Sequence, residues 1–276
     1  LATTKSPAVI AENPLALDAE LEALIGGIGA EGLENVGADE LVIPRLTLLQ
    51  PTSPLSNEEG YQSGNIVNAT TKENYGRSLY FAGLFYWRSR TQWAAKSDIS
   101  APIECRSSDG IHGSNKDARH AGGNCAACPL AKWVDGVPPL CTLFMNILLM
   151  PIKDPTNIAE ELLNTSPVLY SAKRTATPAA QELVTMASML RIGGKPAPLF
   201  ASVYKMESNR IASEKGTYFV PKFSRHGMVP DAASFSYLRK MYTDMKAVQD
   251  KLQGIPDEDA FESSFHKHDD LDAPGF

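Results

Sequence analysis

The sequence predicts an α+β protein in which strands dominate, and three observations carry that reading. Short apolar or aromatic segments recur between polar, turn-rich stretches. The 276 residues include 20 Gly and 19 Pro, which favours many turns over long helices. Two segments of the body place apolar residues at helical spacing, so helices are present but few.

Residues 41–50 (LVIPRLTLLQ) read as the first strand, with Pro44 fitting an edge or a strand start. After a turn-rich stretch, 64–70 and 78–93 follow as strands. The second is crowded with Tyr80, Phe81, Phe85, Tyr86, Trp87 and Trp93 and ends among Arg88, Arg90 and Lys96. Residues 102–107 make a further strand, leading into a Gly-, Asn- and His-rich loop at 109–124 that needs a staple to fold. Strands are expected again at 140–152, apolar enough to be buried on both faces, and at 168–174. Leu183, Met186, Ala187 and Leu190 define a helix over 178–191, with Pro178 at its start and Gly193-Gly194 past its end. A strand pair at 199–212 and 217–223 precedes a second helix at 231–252, and no internal repeat is visible.

The net charge of −6 conceals a three-part layout. Residues 1–40 carry −7, the body 41–254 carries +7, and 255–276 carry −6. This divides the chain into an acidic flexible arm, a folded body and an acidic disordered tail. A basic body between acidic ends suits a protein that binds a polyanion and restrains that binding with a tail. No run of about 18 apolar residues suggests a membrane span. No basic-then-apolar start suggests a signal peptide, so the expected location is the cytoplasm.

Cys105, Cys125, Cys128 and Cys141 are the only cysteines, and the middle pair forms a C-x-x-C knuckle before Pro129. That spacing lets two thiolates share one tetrahedral ion, with the flanking cysteines closing a structural zinc site. Disulfides fit a cytoplasmic chain poorly, a redox C-x-x-C lacks its βαβ setting, and an iron–sulfur cluster has no redox machinery beside it. His112 or His120 is the fallback fourth ligand. The chain lacks the H-x-E and P-C-x-x-C pattern of zinc deaminases, a phosphate-binding loop, a G-x-S-x-G elbow and H-E-x-x-H. No enzyme is therefore expected.

Binders of single strands that ignore sequence combine a positive groove with rings on which bases stack. Tyr86, Arg88, Arg90 and Trp93 interleave both ingredients, and Lys173, Arg174, Lys205 and Arg210 extend them onto later strands. Strict alternation would put Tyr80, Ala82, Leu84, Tyr86 and Arg88 on one face, the wetter one, which is assigned to DNA.

The closing run His268-Asp269-Asp270-Leu271-Asp272-Ala273-Pro274-Gly275-Phe276 resembles the acidic C-terminal tips of bacterial and phage single-stranded-DNA-binding proteins, although Gly275 departs from the bacterial pattern. The resemblance implies that Asp269, Asp270, Asp272 and Phe276 dock replication or recombination partners. Ile43-Pro44-Arg45-Leu46-Thr47-Leu48-Leu49-Gln50, then Ser53-Pro54, Gly60, Gly64 and the cysteine-bearing loop, is similar over much of 41–225 to tailed-phage proteins of DNA replication and recombination. That similarity implies an OB-like barrel with a zinc-stapled loop insertion, coating single-stranded DNA without sequence preference in the host cytoplasm. The rival reading is a zinc-containing adaptor or inhibitor that binds another protein and never touches nucleic acid. A nuclease, the third reading, lacks a carboxylate cluster.

Overall fold

The computed structural model describes residues 43–95, 98–213, 216–247 and 249, together with Gly32. The predicted arm, apart from Gly32, and the tail with Asp269, Asp270, Asp272 and Phe276 lie outside the described residues.

The strands are β1 (Arg45–Leu48), β2 (Ile66–Asn68), β3 (Ser78–Ala95), β4 (Asp98–Ser107), β5 (Thr142–Ile152) and β6 (Val168–Lys173). They continue as β7 (Arg191–Ile192), β8 (Lys195–Pro196), β9 (Ser202–Ser213) and β10 (Gly216–Met228). Among the described residues the α-helices are α1 (Ile158–Leu163), α2 (Thr177–Met189) and α3 (Ala232–Ala247). The expected mixed α and β class, rich in strands, is what the chain adopts. The short α1 and the β7–β8 ladder had no sequence expectation.

Eight strands form one sheet in the order β10-β9-β3-β5-β6-β1-β2, with β4 paired to the far half of β3. Every pairing is antiparallel except β1 with β6, which run parallel through only two positions, Arg45 opposite Leu169 and Leu46 opposite Tyr170. Among the described residues the ladders do not close into a barrel, since β10 and β2 remain the ends of the order. The sheet nevertheless curls until its ends meet. Just past β1, Gln50 donates from Nε2 to the carbonyl of Phe219 on β10 at 3.0 Å, and the Phe219 N–H donates back to Oε1 at 2.9 Å.

Curling gives the sheet an inner and an outer core. Leu46, Ile66, Phe81, Ile147, Tyr170, Tyr204, Met206 and Phe223 converge inside, closed over by Ala180 and Leu183 of α2. Ala82, Leu84, Phe85, Trp87, Leu148, Met150, Ile152 and Leu169 face outward beneath Leu162 of α1, Leu238 of α3 and Phe200. β5 is buried without a break from Phe144 to Ile152 because it has a core on each side. Each large side chain buried this way stabilises by about 1.5–3 kcal/mol.

β3 departs from the alternation expected of it. Gly83 lies opposite Leu149 and Phe85 opposite Leu148, so Leu84 is an extra residue, a β-bulge. Beyond the bulge every side chain changes face. Tyr80, Ala82 and Leu84 therefore join Phe85 and Trp87 in the outer core, whereas Tyr86 packs with Phe81 on the inner one.

Candidate nucleic-acid interface and cysteine cluster

Directly opposed residues on neighbouring strands share a face. On the outer side, Ser89 lies opposite Phe144, which lies opposite Lys173; Thr91 lies opposite Arg106. The side chains confirm this arrangement. The Trp93 ring meets Phe144 edge-on at 6.3 Å, and the Lys173 ammonium stands 5.9 Å from the centre of the Phe144 ring. Beneath them Ser171 donates to Asn146, and Asn146 donates to Ser89, both at 2.8 Å, so a belt of polar groups crosses β6, β5 and β3. Burial, with the nearby Arg45 guanidinium adding to it, lowers the pKa of Arg106. A half-buried cation beside another cation favours an anion as neighbour.

The eight basic and aromatic residues singled out from the sequence divide between faces. Trp93 and Lys173 sit together on the platform just described. Tyr86, Arg88 and Arg90 point to the opposite side, where Arg88 lies under the loop at Gly110. The bulge at Leu84 is the physical reason that the expected face, Tyr80 through Arg88, does not exist. Lys205 is at the other end of β3, over the Tyr80 ring and paired with Glu207 at 2.8 Å. Arg210 lies toward the β9–β10 tip, opposite Phe219.

Next to the platform, β1 splays away from β6 after Leu46 and opens a slot of about 500 Å³. Its lining includes Arg45, Thr47 and Gln50 of the β1 segment, Ser171, Lys173 and Arg174 after β6, and Tyr218 of β10. Arg174 is exposed and holds φ at 49°, a left-handed conformation uncommon outside glycine. Arg45, Phe144 and Arg106 have no distinguishing signal in the sequence. Their importance comes from strand register, which composition does not specify.

The four cysteines, 36 residues apart at the extremes of the sequence, converge. All are buried, none forms a disulfide, and all line one cavity of about 10 Å³, roughly the space of a single small sphere. Asn124 shapes the knuckle by accepting from the N–H groups of Ala126 and Ala127. Gly113 packs closely beside it: a Cβ there would stand 3.0 Å from the Cys105 sulfur and would push it by a few tenths of an ångström. Burial pushes the Cys141 thiol up to about 11, with repulsion from Cys125, Cys105 and Cys128 adding and Arg90 opposing. Among the described residues no group of three or more His, Cys, Asp or Glu side chains is arranged to hold a metal ion. What the four cysteines share is one small cavity and thiol chemistry of the kind that structural zinc sites use.

Of the two histidines, His120 lines the same cavity as the four cysteines and His112 does not. His120 is buried, but Nδ1 bonds Asp117 at 2.5 Å and Nε2 bonds the Gln92 carbonyl oxygen at 2.9 Å, so both ring nitrogens are committed. Gln92 in turn donates to Glu104, tying the loop to β3 and β4. His112 is exposed and bonded to Asp109.

The loop also displays a feature absent from the sequence expectations. Val134 and Val137 bond each other's backbone across Asp135 and Gly136, both at positive φ, forming a tight turn. Trp133 beside it is 67% exposed. The Asp-Gly pair between valines is the sequence signal that marks this turn.

Among the described residues no helix is long and apolar enough to cross a membrane. The family described as Pam3 phage gp34-like protein matches residues 18–108 and 154–251. The match passes over 109–153, which carries three of the four cysteines and β5. No curated protein and no solved structure matches the chain.

Proposed function

The chain belongs to the Pam3 phage gp34-like protein family, and from that premise we propose that it coats single-stranded DNA without regard to sequence during phage DNA replication or recombination. It acts in the host cytoplasm as a binding protein and not as an enzyme. The observation that carries this reading is the outer face of β3, β5 and β6, where the half-buried Trp93 ring packs on the buried Phe144 with Lys173 over it, and where Arg106 has Arg45 as a charged neighbour. Rings and cations on one face are the two elements that a base-stacking, phosphate-following surface needs.

In this reading Cys105, Cys125, Cys128 and Cys141 hold a structural zinc ion, which supplies a cross-link for a loop otherwise short of apolar contacts. The acidic tail with Asp269, Asp270, Asp272 and Phe276 recruits replication or recombination proteins and competes with DNA for the basic body.

The test is fluorescence anisotropy of zinc-loaded protein with labelled oligo-dT of about 30 nucleotides and with duplex of equal length, at two salt concentrations. Binding to the single strand alone, weakening steeply with salt, is the expected result; no binding at low salt sinks the reading. A second reading, a protein-binding adaptor, is favoured by exposed Trp133, Val134 and Val137 on the loop that the family match passes over. Under it oligo-dT does not bind, and Trp133→Ala abolishes capture of a replication protein.

A further inference from the structure

The slot where β1 parts from β6 differs in kind from the open platform beside it. It is a concavity of about 500 Å³, within the range of small-molecule sites. Among the described residues its lining brings together three cationic side chains, those of Arg45, Lys173 and Arg174, with the hydroxyls of Thr47, Thr52, Ser171, Thr175 and Tyr218. Arg45 and Lys173 also make contacts of their own, that of Lys173 including the Phe144 ring. Arg174 is the exposed member and holds a left-handed backbone. The slot ends at Ala176, the residue before α2, where no side chain caps the helix.

We propose that this slot binds the phosphomonoester of a nucleotide, with Arg174 as its principal contact and Arg45 and Lys173 completing the charge. A cluster of cations in a concavity matches a compact dianion, because a guanidinium can meet two phosphate oxygens at once. An internal phosphodiester carries one charge and is flanked by sugar on both sides, so it suits the open platform. A terminal or free phosphate carries up to two charges and enters a slot end-on. The hydroxyls supply neutral donors around it. The inference rests in part on the single-strand reading, since Lys173 belongs to both surfaces, but its ligand can be tested apart from DNA.

The experiment is isothermal titration of the full-length, zinc-loaded protein with dTMP, with thymidine as control, at pH 7.5 and pH 5. The protein binds dTMP and not thymidine, and affinity falls several-fold at pH 5 as the phosphate loses its second charge near pH 6. Arg174→Gly suits the positive φ, so it removes the guanidinium without straining the fold, and lowers dTMP affinity at least about tenfold; Arg174→Lys loses less. Equal binding of thymidine and dTMP, or no change in Arg174→Gly, overturns the proposal. The sources of the phosphate separate in competition: dTMP displaces oligo-dT bearing a terminal phosphate more readily than oligo-dT lacking one. If oligo-dT binds but dTMP does not, the slot proposal fails and the coating reading survives. If dTMP binds and oligo-dT does not, the coating reading fails and the slot stands as a nucleotide site.

Discussion

Gln50 treats Phe219 as a neighbouring strand would: its amide donates to the Phe219 carbonyl at 3.0 Å and accepts from the Phe219 N–H at 2.9 Å. One side chain thereby joins the β1 end of the curled sheet to β10, where backbone ladders do not reach. Gln50→Ala removes both bonds and leaves two groups of the buried Phe219 unpaired. The expected loss is about 2–3 kcal/mol, read as a lower urea midpoint with unchanged slope, together with faster hydrogen exchange at the Phe219 amide. Exchange at Phe219 as slow as in the parent protein would show that the ends are held by packing alone.

Gly60 and Gly64 form a matched pair for separating backbone strain from crowding. Both have φ near +90°, but a Cβ at Gly60 meets nothing within 4 Å, whereas one at Gly64 stands 2.6 Å from the Phe219 ring. Alanine at either position carries the left-handed cost of about 1–2 kcal/mol. At Gly64, overpacking against the residue that Gln50 holds adds about 1–3 kcal/mol. Thermal melts of the two variants should therefore differ clearly, with Gly64→Ala the lower; equal melting temperatures would mean that the Phe219 ring gives way freely.

Most strand positions along the chain were legible because each strand announces itself locally, as in the apolar run of β5 or the aromatic run of β3; their order in the sheet was not. The site was less so. A single extra residue, Leu84, reverses the face of Tyr86, Arg88 and Arg90, and nothing in the local sequence marks it as a bulge. Trp93 and Lys173 were recognised as individuals, yet their meeting over Phe144 depends on how β3, β5 and β6 align. The cysteines were easier because their chemistry restricts them to one another's company. The slot depends on where β1 leaves β6, a property of long-range pairing that no window of residues contains.

The cysteine cluster gives a pH-dependent signature. In metal-free protein the Cys141 thiol is raised to about 11 from an ordinary value of 9.0, chiefly by burial. Between those values the folded chain retains a proton that the unfolded chain has lost, so metal-free stability falls as pH rises from 9 toward 11. Zinc binding requires thiolates, so it releases protons and removes this dependence. Melting curves at pH 8, 9.5 and 10.5, with and without one equivalent of zinc, test this. The metal-free protein should lose thermal stability over that range and the zinc-loaded protein should not; parallel curves would exclude ligation at Cys141.

Substitutions on the two faces of β3 decide which face carries DNA. Trp93→Ala removes a ring from the platform and should weaken oligo-dT binding by about 1–3 kcal/mol, the usual worth of one stacked base. Because it removes no charge, the slope of log affinity against log salt should stay as it was. Lys173→Ala should reduce that slope by about 0.7, one fewer counterion released from a single strand. Arg88→Ala, on the inner side under Gly110, should leave affinity and slope within error. The three variants together are more informative than any one, since general damage to the fold would weaken binding in all of them without this division between affinity and slope. A loss confined to Arg88→Ala, with Trp93→Ala silent, would move the strand to the inner face and reject the platform.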